Sequence, residues 1–213
     1  IDRMKQKMIW NIPRGPVVVP GELTAAGLTP LLAAILYARG ITSVAQAQRF
    51  LSGADDAALT QIRLVDLDKA CTRIRLAAER GEKCAVFGDY DVDGITSTCL
   101  MTDYLRRHMH LDCISYIPDR IEEGYGVNTG AIQSLAAQGV TLIITVDCGI
   151  TAAQETEFAR SLGVDMVITD HHECQEQLPR AYAVVDPKRS PDPENGHALA
   201  GVGVAFKLAC ALH

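Results

Sequence analysis

From residue 83 to the end of the chain, short apolar runs alternate with segments of helical periodicity, and this alternation restricts the possible folds more than any other feature. Strands that alternate with helices of about 10–15 residues indicate βαβ crossovers. Apolar strands of this kind are covered on both faces of a parallel sheet. We therefore predict an α/β fold with a parallel sheet of about five strands flanked by helices. The predicted strands are at 83–88, 112–118, 141–147, 164–170 and 181–187, and the predicted helices between them are at 95–109, 128–139 and 151–163.

The first 80 residues have a different pattern. Residues 1–21 contain prolines and a run of valines, which predicts an extended arm, and we expect Trp10 to anchor this arm to the domain. Residues 22–80 are mostly helical in periodicity, with one helix that ends at Gly40 and another that begins at Ser43. We predict an arm and a small helical region over 1–80, followed by a sheet domain over 81–213.

Composition excludes several classes of protein. A formal net charge of -6 argues against a protein that coats DNA by bulk electrostatics, although it leaves room for a local basic groove or metal-assisted contact with phosphates. The seven cysteines are dispersed without a C-x-x-C pair, which is typical of reduced thiols in a cytoplasmic protein. The longest apolar run, at 31–38, is too short to span a bilayer.

Acidic residues, in one case with a histidine pair, follow the predicted strands. In open α/β sheets, ligands bind beyond the carboxyl ends of the strands. We therefore expect a functional site at this edge of the sheet. The residues at the strand ends are Asp89, Asp91, Asp93, Asp119, Asp147, Asp170, His171, His172 and Asp186.

The crowding of carboxylates indicates a metal site. Alternate residues of an extended segment point the same way, so Asp89, Asp91 and Asp93 are expected to converge. Carboxylates this close raise one another's pKa unless a cation lies between them. Hard oxygen ligands with one or two imidazoles suit Mn²⁺ or Mg²⁺, and the number of ligands suggests two ions. The N-terminus of the helix that follows is expected to approach the same site and to favour a phosphate.

Each motif has a simpler interpretation when it is taken alone. A calcium loop that begins at Asp89 requires a glutamate at its twelfth position, where this chain has Leu100. Asp147 alone could cap the next helix, the residues at 170–172 could form a turn, and Asp186 before a proline is more often a turn residue. The combination favours the metal site.

The segments GDYDVDG, TVDCGIT and ITDHHE together resemble the DHH phosphoesterase superfamily, which is named for the tripeptide at 170–172. The segments YIPDRIEEGYGVN, AVVDPKR and LAGVGVAFKLA, with the helical region before them, are similar to the branch of bacterial single-strand-specific exonucleases. The resemblance covers nearly the whole chain. It implies a DHH catalytic core over 81–213 and a site with two Mn²⁺ or Mg²⁺ ions. The implied reaction is phosphodiester hydrolysis that releases mononucleotides from the 5′ end of single-stranded DNA in repair and recombination.

The resemblance also implies roles for individual residues. Asp170 is expected to orient His171 without binding metal, and His172 to contact the scissile phosphate or assist the leaving oxygen. Some relatives have a histidine at the position of Phe87. Because phenylalanine cannot bind metal, Asp89 is expected to take over the metal-binding role of that histidine. The implied metal ligands are Asp89, Asp91, Asp93, Asp147 and His171.

Two further residues are candidates for contact with substrate. Arg120 is expected to contact a phosphate, with a salt bridge to Glu122 or Glu123 as the alternative. Tyr125, between two glycines, is a weaker candidate that would stack on a base, and packing inside its loop is the favoured alternative. The expected partners are single-stranded DNA, single-strand-binding protein and a helicase, and the protein is expected to be a monomer with no membrane association.

The chain departs from the superfamily pattern in one respect. A fourth-motif aspartate and a second lobe that grips nucleic acid are expected after the last helix, and the sequence stops at His213. We therefore expect this chain to be part of a longer protein, weakly active or inactive alone. Asp186 is a partial substitute for the missing aspartate.

Two other functions compete with the nuclease. Other DHH hydrolases act on small phosphates, such as oligoribonucleotides, cyclic dinucleotides or pyrophosphate, but they do not share the segment EGYGVN. A non-catalytic scaffold that has lost its metal ligands is the second alternative, although all three motifs are intact here. A nucleotide-cofactor site is excluded because GVGVAF lacks the third glycine of the fingerprint and no G-K-[ST] follows a strand.

Overall fold

The computed structural model describes residues 18–52, 61–192 and 195–213. Most of the predicted arm, including Trp10, therefore lies outside the described residues. The chain divides into two compact units, with the boundary between Ala57 and Ala58. Each unit has a hydrophobic core of its own.

The described part of the first unit, residues 18–52, is helical, as predicted. Thr29 caps α2 by accepting a hydrogen bond from the Leu32 amide at 3.3 Å, and the chain turns through Gly40 after this helix. At the start of α3, Ser43 and Gln46 cap each other's backbone amides, at 3.2 and 3.1 Å. The helices are α1 (Gly21–Ala25), α2 (Pro30–Ala38) and α3 (Val44–Ser52), and their core contains Leu23, Ala33, Leu36 and Ala47.

The second unit is the predicted α/β domain. All strand pairs are parallel, and the order across the sheet is β2-β1-β3-β4-β5, which confirms the predicted five-stranded sheet. The strands are β1 (Lys83–Phe87), β2 (Asp112–Tyr116), β3 (Val140–Val146), β4 (Asp165–Thr169) and β5 (Ala183–Val185). The helices are α4 (Leu67–Arg80), α5 (Val92–Arg107), α6 (Thr129–Ala137), α7 (Ala153–Ser161) and α8 (Gly201–Leu212), with a short 3-10 helix at Pro187–Arg189.

Four of the strands, β1, β3, β4 and β5, are mostly apolar because helices cover both faces of the sheet, whereas β2 at its edge has exposed polar residues. Cys84 and Val86 of β1 point into a core shared with α4, α5 and α8. Ala85 and Phe87, which alternate with them, point into a second core shared with α6 and α7. This period-2 alternation between two cores is the reason that β1 contains no exposed polar side chain after its first residue.

Helix α4 belongs to the sheet unit by its packing. Ile74 and Ala77 lie in the same core as Val86. The Arg73 side chain, which is buried, pairs with Glu82 at 2.7 Å and with Asp165 at 2.6 Å. These ion pairs join the helix to the chain before β1 and to the first residue of β4. The division of the chain at residue 81 itself stays a prediction.

The ends of the elements differ from the predicted ones by a few residues. Helix α5 begins at Val92, three residues before the predicted start at residue 95. This difference changes the geometry of the aspartates that precede the helix. Among the described helices, none has the length and apolar character needed to cross a membrane.

Candidate metal centre

Four aspartates lie at the carboxyl edge of the sheet. Asp89 follows β1, Asp147 follows β3, Asp170 follows β4 and Asp186 follows β5, and all four are buried. Their strands are parallel and adjacent, so the four side chains emerge at the same edge. Buried carboxylates require hydrogen-bond donors or cations, since an isolated charge in a protein interior is costly.

The aspartates after β1 do not form one extended segment, so the geometric argument for their convergence was wrong. Asp91 is the N-cap of α5 and accepts hydrogen bonds from the amides of Asp93 and Gly94, both at 2.9 Å. Asp93 lies in the first turn of the helix. Its carboxylate accepts hydrogen bonds from the amides of Gly201 at 2.7 Å and Val202 at 2.8 Å, at the start of α8. Asp93 therefore links the N-termini of two helices.

Asp147 is common to two groups of potential metal ligands. Asp89, Asp91 and Asp147 form the first group, and Asp147, His171 and His172 form the second. Within each group, the ligand atoms lie within 4.8 Å of one another. Asp93 is in neither group, although its Oδ2 lies 3.8 Å from Nε2 of His171. The structure thus brings four of the predicted site residues, Asp89, Asp91, His171 and His172, together around the buried carboxylate of a fifth, Asp147.

The environment of Asp147 is unusual in three respects. Its backbone is in the left-handed region, at φ 60°, which is uncommon for a residue other than glycine. The residue is 1% exposed, and its Oδ1 accepts no hydrogen bond from the described residues. Burial, together with the nearby Asp93 and Asp91, raises the pKa of this carboxyl to about 7. A cation beside Asp147 would offset both the burial and the repulsion.

The ring of His171 also points to a cation. Its Nδ1 lies 3.1 Å from the Leu199 carbonyl, which can only accept, so Nδ1 carries the proton in this contact. In the neutral ring, Nε2 is then an acceptor, and it faces Oδ1 of Asp147 at 3.1 Å. Two acceptors at this distance require a proton or a metal ion between them. The tautomer that the backbone selects leaves Nε2 free to ligate a metal.

Asp170 holds His172 rather than His171. Its Oδ1 lies 2.7 Å from Nδ1 of His172 and accepts the backbone amides of both histidines, and its Oδ2 accepts the Ile150 amide at 2.9 Å. Burial opposes the charged form of His172, but the hydrogen bond and charge of Asp170 outweigh it and raise the pKa of His172. The expectation that Asp170 orients the ring of His171 was therefore wrong, because the Leu199 carbonyl takes that position.

Two glycines allow the helices to approach the site. A Cβ on Gly94 would lie 2.6 Å from the Cα of Asp89, so only glycine lets α5 start this close to β1. A Cβ on Gly201 would lie 2.6 Å from the Cβ of Asp147. Gly201 was missed in the sequence, although a glycine at the first position of a helix that follows a loop is a recognisable signal of close approach.

Asp186 lies at the border of the site. Its Oδ1 accepts the Lys188 amide at 2.8 Å, and its Oδ2 is buried without a hydrogen bond from the described residues. Burial raises the pKa of this carboxyl to about 6. The structure does not bring Asp186 into either ligand group, so its role as a substitute ligand stays a prediction.

The two predicted substrate residues lie at the mouth of the site. Tyr125 is 56% exposed, and its ring meets that of His172 edge-on, with centroids 6.2 Å apart. A cavity of about 360 Å³ is lined by Tyr125, His172 and residues 149–152. The guanidinium of Arg120 lies 5.2 Å from the ring centroid of Tyr90, a residue that the sequence analysis missed. The predicted alternative, a salt bridge from Arg120 to Glu122 or Glu123, is not formed among the residues described.

The donor set fits a divalent metal. The unsatisfied Oδ1 of Asp147, the free Nε2 of His171 and the carboxylates of Asp89 and Asp91 are hard oxygen and imidazole ligands of the kind that Mn²⁺ and Mg²⁺ bind. The described thiols take no part in either group.

Comparison with known proteins points in the same direction. The family described as "DHH family, N-terminal domain" matches residues 83–213. The single-stranded-DNA-specific exonuclease RecJ of Bacillus subtilis is 41% identical over 210 residues, which are 98% of this chain and 27% of the relative. The chain therefore spans about a quarter of the length of that protein.

Two solved structures are similar as well. A crystal structure of exonuclease RecJ bound to manganese has 35% sequence identity and a TM-score of 0.63, over 71% of this chain and 38% of the other. The structure of RecJ from Thermus thermophilus in complex with Mn²⁺ has 28% identity and a TM-score of 0.69, over 90% of this chain and 26% of the other.

Proposed function

Since this chain belongs to the DHH family, we propose that it is the catalytic core of a metal-dependent exonuclease that hydrolyses phosphodiester bonds of single-stranded DNA and releases 5′ mononucleotides. The DHH family includes hydrolases that act on different phosphate compounds, so family membership alone does not identify the substrate. The named relatives support the choice of single-stranded DNA. Proteins named as RecJ, specific for single-stranded DNA, match this chain over most of its length. The proposed core is residues 81–213, with 1–80 as its helical lead-in.

One observation carries the proposal: two groups of ligands meet at Asp147, whose buried Oδ1 lacks a hydrogen bond among the described residues. A purely structural aspartate in this position would be expected to have a donor. The residues proposed to hold the two ions are Asp89, Asp91, Asp93, Asp147 and His171. When bound, Mn²⁺ or Mg²⁺ supplies Lewis acidity that neutralises phosphate charge and lowers the pKa of water.

The protein's own residues are proposed to position the reactants. Asp170 fixes the ring of His172 through Nδ1, which leaves Nε2 on the side away from that carboxylate. From there, His172 contacts the scissile phosphate or the leaving oxygen. The Leu199 carbonyl fixes the tautomer of His171. Arg120 contacts a backbone phosphate, and Tyr125 stacks on a base beside the cavity that it lines. Phosphoryl transfer depends mainly on such positioning and on charge stabilisation.

The proposal extends to the setting of the reaction. None of the seven cysteines is in a disulfide, which supports a reducing, cytoplasmic location. Single-stranded DNA is the proposed macromolecular partner, with single-strand-binding protein and a helicase as the proteins that present it. The proposed state is a monomer, which sedimentation of the full-length protein tests.

Two substitutions in the full-length protein test the assignment: Asp91→Ala and His171→Ala. Each is expected to lower Mn²⁺ affinity, measured by calorimetry, at least about tenfold, and to lower digestion of 5′-phosphorylated single-stranded DNA at least as much. The thermal midpoint without metal is expected to fall slightly in Asp91→Ala, because losing the N-cap of α5 costs about 1 kcal/mol, which the removal of one of several neighbouring carboxylates offsets only in part.

Asp103→Ala and His108→Ala are matched controls, since Asp103 lies near the end of α5 and His108 follows its last residue, remote from the carboxyl edge of the sheet. Wild-type activity and metal affinity are expected for both. Retained digestion in Asp91→Ala or His171→Ala would contradict the ligand assignment. Rapid release of phosphate from pyrophosphate, without digestion of DNA, would favour a small-phosphate hydrolase instead.

A further inference from the structure

A continuous row of side chains runs along the mouth of the site. It begins at Arg120 and ends at His172, at the carboxyl edge of the sheet. The Arg120 guanidinium lies over the ring of Tyr90, at 5.2 Å from its centroid. The ring of Tyr90 meets that of Tyr125 edge-on, at 6.3 Å and 80°. The ring of Tyr125 meets that of His172 in the same way, at 6.2 Å and 84°. Both separations are in the range of favourable aromatic pairs.

From this geometry we propose that Tyr90 is a positioning residue that holds Arg120 where a backbone phosphate of the DNA strand enters the site. This inference rests on the proposed function. A cation within about 6 Å of a tyrosine face is attracted by the ring's quadrupole. Tyr90 lies between Asp89 and Asp91 in the chain, and its ring contacts Arg120 on one side and Tyr125 on another.

Arg120 is free to make this contact. Arg120 lies within a turn in which the Asp119 carboxylate accepts the amides of residues 121 and 122 at 2.8 and 3.0 Å. The Glu123 carboxylate is occupied by the Tyr116 hydroxyl at 2.6 Å and by other donors in its loop. In the described part of the chain, no carboxylate pairs with Arg120, so its charge is available to a ligand.

Arg120 matters for DNA binding because the rest of the site is negatively charged. The carboxyl edge of the sheet bears several aspartates, which repel a polyanion. Lys188, another cation near this edge, is paired with Glu173 at 2.9 Å. An arginine held over an aromatic ring loses less conformational freedom when it binds phosphate than one that is mobile in solvent.

A double-mutant cycle on the full-length protein tests the role of Tyr90. The probe is a 5′-phosphorylated, 3′-fluorescein-labelled oligodeoxythymidylate, and binding is measured by fluorescence anisotropy in EDTA. Arg120→Gln is expected to weaken binding and to reduce the slope of log affinity against log salt by about 0.7, the value for one contact to single-stranded DNA. Tyr90→Leu is expected to weaken binding about two- to fivefold, with the slope unchanged because the charge remains.

The coupling between the two changes separates positioning from a structural effect. In the Arg120→Gln background, Tyr90→Leu is expected to have no further effect. Tyr90→Phe keeps the ring face and is expected to bind like wild type. In Mn²⁺, Tyr90→Leu is expected to raise KM with little change in kcat. Arg107→Gln, at the end of α5 where Arg107 pairs with Asp103, is the charge control and is expected to bind like wild type.

Thermal midpoints and Mn²⁺ affinity verify that the variants fold, and Tyr90→Met replaces Tyr90→Leu if the leucine variant does not. Equal effects of the Tyr90 change in both Arg120 backgrounds would overturn this inference alone. So would an unchanged salt slope in Arg120→Gln when the wild type binds and digests the DNA. A wild-type protein that neither binds nor digests single-stranded DNA would overturn the proposed function, and the inference with it.

Discussion

Gly201 determines how closely the N-terminus of α8 approaches the buried carboxylate of Asp147. The amide of Gly201 donates to Asp93, and the position of a Cβ at Gly201 is already occupied by the side chain of Asp147. A glycine in a helix lowers helix propensity, so its presence at this position reflects the packing requirement. The start of α8 can therefore approach Asp147 only because residue 201 has no methyl group.

Gly201→Ala is expected to lower Mn²⁺ affinity at least about tenfold, since the methyl group must displace the Asp147 carboxylate that both ligand groups share. Gly203→Ala, two residues later in the same helix, is the matched control. A Cβ there would lie 3.1 Å from the flexible end of the Leu199 side chain, which can move. We expect Gly203→Ala to bind Mn²⁺ within about twofold of wild type, because the ligand groups are untouched. Equal affinities for the two variants, measured by calorimetry, would contradict this explanation.

At the scale of elements, the sequence predicted the order and approximate ends of the strands because most of them are short, largely apolar runs that are buried under helices. It also predicted which residues follow those strands. It did not predict that α5 begins at Val92, because Asp91 had to be recognised as a cap rather than as part of a strand. Nor could it predict what orients the ring of His171, since that ring contacts the Leu199 carbonyl, which lies 28 residues further along the chain.

Helix α4 packs into the core of the sheet unit and is also joined to it by the buried Arg73, and this arginine gives a stability prediction. Arg73→Met leaves the largely buried Glu82 without its partner, and is expected to cost about 3 kcal/mol of unfolding free energy at pH 7. Arg80→Met is the control, because Arg80 is exposed and lies 3.8 Å from the same carboxylate. The cost of that change is expected to be below about 1 kcal/mol.

The cost of Arg73→Met is also expected to depend on pH. Burial alone would raise the pKa of Glu82, but the hydrogen bonds from Arg73 and Thr141 outweigh it and hold that pKa below 4.5. A folded-state pKa below the unfolded one contributes stability above the unfolded value, and this contribution is lost as the pH falls. The difference between wild type and variant, measured by urea unfolding, is therefore expected to be full at pH 7 and to shrink below about pH 4.5. A difference that grows in acid would contradict the ion-pair explanation.

At the scale of the whole molecule, the two compact units have separate cores, and every proposed metal ligand is in the second one. Metal binding stabilises the folded state against local unfolding events that would move the metal-binding side chains apart. The proposed metal ligands, and the backbone groups that hydrogen-bond to them, lie in four segments of the second unit. They are 89–94, 147–150, 170–172 and 199–202.

Hydrogen exchange measured by mass spectrometry, with and without Mn²⁺, is therefore expected to show a local pattern. Those four segments are expected to gain protection together, because Asp147 belongs to both ligand groups and Asp93 joins α5 to α8. Helices α1 to α3, whose core contains no proposed ligand, are expected to exchange at the same rate in both conditions. In Asp91→Ala the Mn²⁺-dependent protection is expected to fall in all four segments. Protection confined to 89–94 would mean that the strand ends bind metal separately, and equal protection of α1 to α3 would mean that stabilisation is global rather than centred on Asp147.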